Sequence, residues 1–171
     1  MNDNDRYATQ LFFKGRFDVV IRDKDGNIKH KGKLTAHNGI VNEGKDKLLG
    51  VMFNAATQIT AWFIGLINIG PTLAASDTML NHGGWNERHM DYDEATRPTW
   101  DEAVPSGQAI TSLTVAVFTM NTTVTIAGFF LTSDAAKNGT LGTLWCTALF
   151  DGGEQDVVAT DVIQVTYTLN G

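Results

Sequence analysis

Ile110-Thr111-Ser112-Leu113-Thr114-Val115-Ala116-Val117-Phe118-Thr119-Met120 is followed, across Asn121-Thr122-Thr123, by Val124-Thr125-Ile126-Ala127-Gly128-Phe129-Phe130-Leu131-Thr132. Both runs are rich in β-branched and aromatic residues, and the first alternates with a period of two, which is the signature of strands. The short Asn-Thr turn between them predicts an antiparallel pair.

The same period extends outward in both directions. Ile59–Ile67 reads as a buried strand, and Thr143–Phe150 as another, bounded by Asn138-Gly139 and Gly152-Gly153. Val162–Leu169 places Ile163, Val165, Tyr167 and Leu169 on one face, with Gln164, Thr166 and Thr168 on the other. Near the N-terminus, Arg16–Arg22 and Ile28–Thr35 flank Asp23-Lys24-Asp25-Gly26-Asn27, a hairpin signal because Gly accepts the positive φ of the turn. The period changes once. Asn42 reads as an N-cap for a helix over residues 43–54, with Leu48, Leu49, Met52 and Phe53 on one face and Glu43 near the dipole's positive end. Strands of this length with turns between them predict a mainly β fold: an antiparallel two-sheet sandwich with one short helix and an N-terminal β-hairpin arm. The expected division is a basic hairpin arm over residues 1–37 and a sandwich domain over 38–171.

The chain's 171 residues suit one core, and 43% hydrophobic with 19% charged residues suits a folded domain. Its longest apolar run, near residues 60–69, falls well short of the ~20 residues a membrane helix needs, so no membrane partner is expected. The opening Met1-Asn2-Asp3-Asn4-Asp5-Arg6 is polar, which predicts no signal peptide. The single cysteine, Cys146, reads as a buried, inert thiol made in a reducing cytoplasm. Net charge is −6, unevenly spread. Residues 1–47 hold ten of the thirteen basic residues and a balance of +3, leaving −9 for the rest. Such asymmetry marks either a binding arm or a hairpin guarded by lysines on its edges.

No residue set reads as a catalytic centre. His82, His89, Asp91 and Asp93 match no zinc spacing. Asp23, Asp25 and Asn27 resemble the start of a calcium loop but lack its later Glu, and Asp91, Asp93 and Glu94 are only a loop of acids. Glu87 with Asp93, or Asp101 with Glu102, would be the carboxylate pairs for glycoside hydrolysis. The expectation is therefore a non-enzyme without catalytic residues, metal or cofactor. The long interval Thr72–Gly107 is the candidate functional segment. In it Arg97 is placed to pin the loop between Asp93/Glu94 and Asp101/Glu102, while Trp85, Tyr92 and Trp100 either pack beneath it or anchor a partner. Lys29, Lys31 and Lys33 would place three amines on one strand face. No aromatic platform accompanies them, so no direct nucleic-acid binding is expected.

Several stretches together resemble a family of tailed-bacteriophage virion proteins. They are Asn38-Gly39-Ile40-Val41-Asn42-Glu43-Gly44-Lys45-Asp46, Trp62-Phe63-Ile64-Gly65-Leu66-Ile67, Gly84-Trp85-Asn86-Glu87, and Tyr92-Asp93-Glu94-Ala95-Thr96-Arg97-Pro98-Thr99-Trp100. Gly128-Phe129-Phe130-Leu131-Thr132-Ser133 and Val165-Thr166-Tyr167-Thr168-Leu169 extend the likeness over residues 38–171. The resemblance implies a capsid cement or decoration protein with a jelly-roll-like sandwich, made in the host cytoplasm and bound on the virion surface. Its expected partners are the major capsid protein and further copies of itself, as a dimer or trimer. In that setting the basic arm would reach a neighbour, and removing residues 1–35 would leave a folded sandwich that no longer binds. The alternative is a glycan- or receptor-binding module of a phage tail or fibre that uses Trp85, Tyr92 and Trp100.

Overall fold

Alternating burial of Gly15, Phe17, Val19 and Ile21 makes the first strand, β1, Lys14–Arg22. The structure is a computed structural model and describes residues 13–30 and 33–171. After β1 come β2 (Leu34–Ile40), the helix α1 (Asn42–Phe53), β3 (Trp62–Asn68), β4 (Thr99–Trp100), β5 (Ala109–Thr111) and β6 (Ala116–Thr119). The chain closes with β7 (Val124–Thr132), β8 (Leu144–Phe150), β9 (Gln155–Val157) and β10 (Val162–Asn170). The fold is mainly β, as expected, and the strand pairings are antiparallel. No helix among the described residues is long and apolar enough to cross a membrane.

The strands form one hydrogen-bonded sheet in the order β4-β3-β7-β8-β2-β1-β10-β5, with β6 also on β10 and β9 on β7. That sheet is strongly curled. β1 and β7 lie three places apart, about 14 Å in a flat sheet at the usual strand spacing, yet Phe17 and Phe129 stack at 5.4 Å. β4 and β10 are six places apart, and Trp100 meets Tyr167 edge-on at 5.1 Å. The curl thus makes one sheet enclose its own core, a half-barrel around Phe17, Phe118, Phe129, Ile163, Val165 and Tyr167.

Two bulges adjust which side chains face that core. Between β3 and β7 the register skips Ala127, and between β8 and β7 it skips Trp145. The second bulge lets the adjacent residues Trp145 and Cys146 both join the inner cluster. Ala127, Phe130 and Leu144 face outward instead, where Met79 and Trp85 cover them to make a second core. β7 is therefore buried on both faces from Ile126 to Thr132.

Three sequence expectations need correction. The N-terminal hairpin is no arm: β1 is flanked by β2 and β10, and β2 by β1 and β8, so both are inner strands. The proposed boundary at residue 37 falls within β2. The return strand also begins later than expected, at Leu34 rather than Ile28, which leaves only the isolated Arg22–Ile28 bridge beyond the turn. Secondly, the run Ile110–Met120 is two short strands. Ser112 exchanges hydrogen bonds with the Tyr167 backbone through both its amide and its hydroxyl, and Leu113 N donates to Asp101 O at 2.7 Å, which takes the chain off the ladder. Thirdly, β6 and β7 do not pair. Met120 N donates to Asp161 O and Asn121 N to Asp91 O, so β6 stays on β10 while β7 enters between β3 and β8.

Candidate docking surface

The long connection from β3 to β4 is a strap tied to the sheet by its polar side chains. Its start lies on the outer face, where Trp85 packs on Phe130 at 5.0 Å and donates its indole N–H to Asp77 Oδ2 at 3.0 Å. His82 stacks on the same indole at 4.0 Å. Its later part reaches the inner core through Tyr92 and Trp100. Between them Arg97, 1% exposed, grips Glu87 with two hydrogen bonds of 2.9 and 2.8 Å. Its remaining donors reach Asp134 O at 2.8 Å and Gly139 O at 3.0 Å, and its guanidinium lies over the Phe130 ring at 5.1 Å. Lys137 approaches from the other side, donating to the Tyr92 and Glu94 carbonyls at 2.8 Å above the Tyr92 ring.

Sequence reasoning is right that Arg97 pins the loop and wrong about its partners. Asp101 accepts from Thr114 and Glu94 from the Thr119 amide, so neither is spare. Glu87 supplies the carboxylate instead. His82 and His89 bond to the carbonyls of Trp85 and Glu87 respectively, while Asp91 faces Arg88 and Thr122. Among the described residues no three His, Cys, Asp or Glu side chains gather as a metal site. The Asp23–Asn27 segment closes as a turn, with Asp23 Oδ1 accepting from the amides of Asp25 and Asn27.

The proposed contact residues are mostly not at the surface. Trp85, Tyr92, Arg97 and Trp100 are all buried, so none offers area to a partner or a stacking face to a sugar. Lys29 leaves its loop to pair with Asp161, which is wholly buried, and Lys33 pairs with Asp18 at 2.8 Å. Both precede β2, so they are not part of a strand face, and Lys31 lies outside the described residues. The basic excess of the N-terminal third is in part spent within the molecule.

Exposed apolar side chains lie elsewhere, and three of them share one face of α1. Its N-terminus is anchored without the expected Asn42 cap: Val41 is the N-cap, and Asn42 N donates to Ala75 O at 2.8 Å. Glu43 Oε2 accepts from Leu144 N at 2.7 Å and Met79 N at 3.3 Å, so this carboxylate links helix, strap and β8. Gly44 sits close against Trp145, where an added Cβ would lie 2.6 Å from the Trp145 carbonyl oxygen. The helix then leaves its C-terminal half outside the sheet. Leu49, Met52 and Phe53 are 54%, 64% and 80% exposed. Their i, i+3, i+4 spacing makes them one stripe. The sequence places these side chains together correctly; what it does not reveal is that none of the described residues covers the stripe, because the strap, not the helix, closes the outer core.

No protein-family model matches the chain, and no curated protein matches it.

Proposed function

We propose that this chain is a capsid cement protein, docking on the outer shell of a virion and stabilising junctions between major capsid protein subunits. The exposed stripe of Leu49, Met52 and Phe53 on an anchored helix carries the reading. Singly exposed apolar residues are ordinary, but several grouped on one helix face are costly to leave in water and mark an interaction surface. A cement must transmit load. A helix fastened by Glu43 to both β8 and the strap is suited to that, since movement of the helix is resisted by the sheet. The two limbs of the curled sheet, facing each other across Phe17 and Phe129, serve in this reading as a jelly-roll-like body. The residues that carry the likeness to phage virion proteins, Glu87, Tyr92, Arg97 and Trp100, are here framework that stiffens the strap.

The test is occupancy of capsids stripped of the protein. A Met52→Lys/Phe53→Lys variant is expected to fold as the parent does, since both side chains are exposed, and to lose capsid binding. A folded variant that fills the shell as fully as the parent overturns the assignment of this face. Failure of the parent chain itself to bind any expanded capsid overturns the function.

A further inference from the structure

A cavity of about 220 Å³ opens where the curled sheet meets the inner side of α1. Its wall is almost wholly apolar. Leu48 projects from the helix, and three of the chain's four tryptophans converge on it: Trp62 from β3, Trp100 from β4 and Trp145 from β8. Two pairings bring them there. Trp62 and Trp100 are direct partners across β3 and β4, and the β8 bulge turns Trp145 inward, edge-on to Trp62 at 6.0 Å.

The polar groups of the wall are few. Trp100 is only 6% exposed, yet its indole N–H has no acceptor. That nitrogen is itself covered, so it offers no donor to the cavity. Trp145 differs, since its N–H is taken by the Tyr167 hydroxyl at 3.1 Å. Among the described residues Lys47 is the one charged member of the wall, and Gln58 supplies a neutral amide. No carboxylate lines the cavity among the described residues.

We propose that this cavity is a binding site for a small apolar monocarboxylate, a medium-chain fatty acid or an aryl-alkanoic acid. The hydrocarbon body packs on Leu48, Trp62 and Trp145, and the carboxylate is drawn to Lys47. The size fits, because an apolar cavity of about 150 Å³ already holds benzene, and this one leaves room for a longer body. The sign of charge discriminates. A neutral alcohol of the same length keeps the apolar contacts and loses the attraction of Lys47, and an amine is repelled by it. The site is separate from the exposed stripe of α1 and does not depend on the capsid reading.

The experiment titrates the full chain with octanoate, octanol and octylammonium, following tryptophan emission and heat of binding. Saturable one-to-one binding of octanoate is expected, at least tenfold tighter than octanol and tighter still than octylammonium. Lys47→Gln, at a partly exposed helix position, is expected to fold normally and weaken octanoate about tenfold while leaving octanol unchanged. Absence of saturable octanoate binding, equal binding of the amine, or indifference to Lys47→Gln overturns the proposal. So does sedimentation showing a dimer that octanoate fails to bind and Lys47→Gln dissociates, since a second copy would then be the occupant.

Discussion

Arg97 and Glu87 meet fork to fork beneath the strap, both buried, through two hydrogen bonds of 2.8 and 2.9 Å. The pair joins two ends of one connection, and its outer donors and acceptors tie that connection to the loop after β7: Arg97 to the Asp134 and Gly139 carbonyls, Glu87 to the Asn138 amide at 2.7 Å. Removing one partner strands the other as a buried charge, which costs about 3–5 kcal/mol. Arg97→Met and Glu87→Leu are each expected to lower the denaturant midpoint markedly, the arginine change more. The double variant Arg97→Met/Glu87→Leu is expected to recover part of the loss, because no lone charge remains. Urea unfolding of the three variants checks this, and an additive double variant would contradict it.

Truncation gives a second prediction. β1 is hydrogen-bonded along both edges, pairing with β10 from Lys14 to Arg22 and with β2 from Arg16 to Val19, and Phe17 lies in the centre of the core. Deleting residues 1–35 is therefore expected to abolish cooperative folding, not to release an independent body. A sharp thermal transition in the truncated chain, followed by near-ultraviolet dichroism, would restore the idea of a separable arm.

Much of this was legible in the chain, and the gaps have physical causes. β10 is read nearly to the residue, with Ile163, Val165 and Tyr167 inward, because a half-buried strand must alternate. β3 and β8 are legible for a different reason, as short apolar runs buried on both faces. Partner choice is not. The turn at Asn121–Thr123 looks like a hairpin, yet hydrogen bonds from Met120 and Asn121 to distant carbonyls decide otherwise, and those acceptors, Asp161 and Asp91, lie in loops that local pattern cannot place. The strap's arginine announces itself as an anchor, but four carboxylates lay within reach and only the fold brings Glu87 to it. The helix stripe was visible and its exposure was not, since periodicity gives a face without saying what covers it.

Close approach of two backbones gives a third prediction. At Gly128, beside the Ala127 bulge, an added Cβ would lie 1.9 Å from the Ala148 carbonyl oxygen. That oxygen belongs to the buried strand β8 and cannot yield as a side-chain tip would. Gly128→Ala is expected to cost about 1–3 kcal/mol, the range for overpacking a tight interior. The measurement is the shift in denaturant midpoint, and a neutral substitution would mean that the β7–β8 spacing is looser than described.

Alkaline pH is the last test, and it reports on the inner end of the core. Tyr167 accepts hydrogen bonds at its hydroxyl from Asn38 at 2.7 Å and Trp145 at 3.1 Å, with the Cys146 sulfur 3.7 Å away. Burial pushes the Cys146 thiol from its ordinary 9.0 up to about 12, against the pull of hydrogen bonds from Asn38 and Tyr167. Burial, then the neighbouring Cys146, likewise raises Tyr167 well above 10.0. Both groups keep their protons in the native state at a pH where the unfolded chain has released them. Unfolding then releases protons, so stability is full below about pH 9 and falls as pH rises toward 12. Denaturant midpoints measured from pH 8 to 11 are expected to decline from about pH 9, and Cys146→Ala is expected to flatten the first part of that slope. The same buried thiol should resist a disulfide reagent at pH 8 until the chain unfolds, because the reactive thiolate is absent and the sulfur is covered. Rapid labelling of the native chain, or a midpoint that holds steady to pH 11, would show that water reaches Cys146 and that the curled sheet opens at this end.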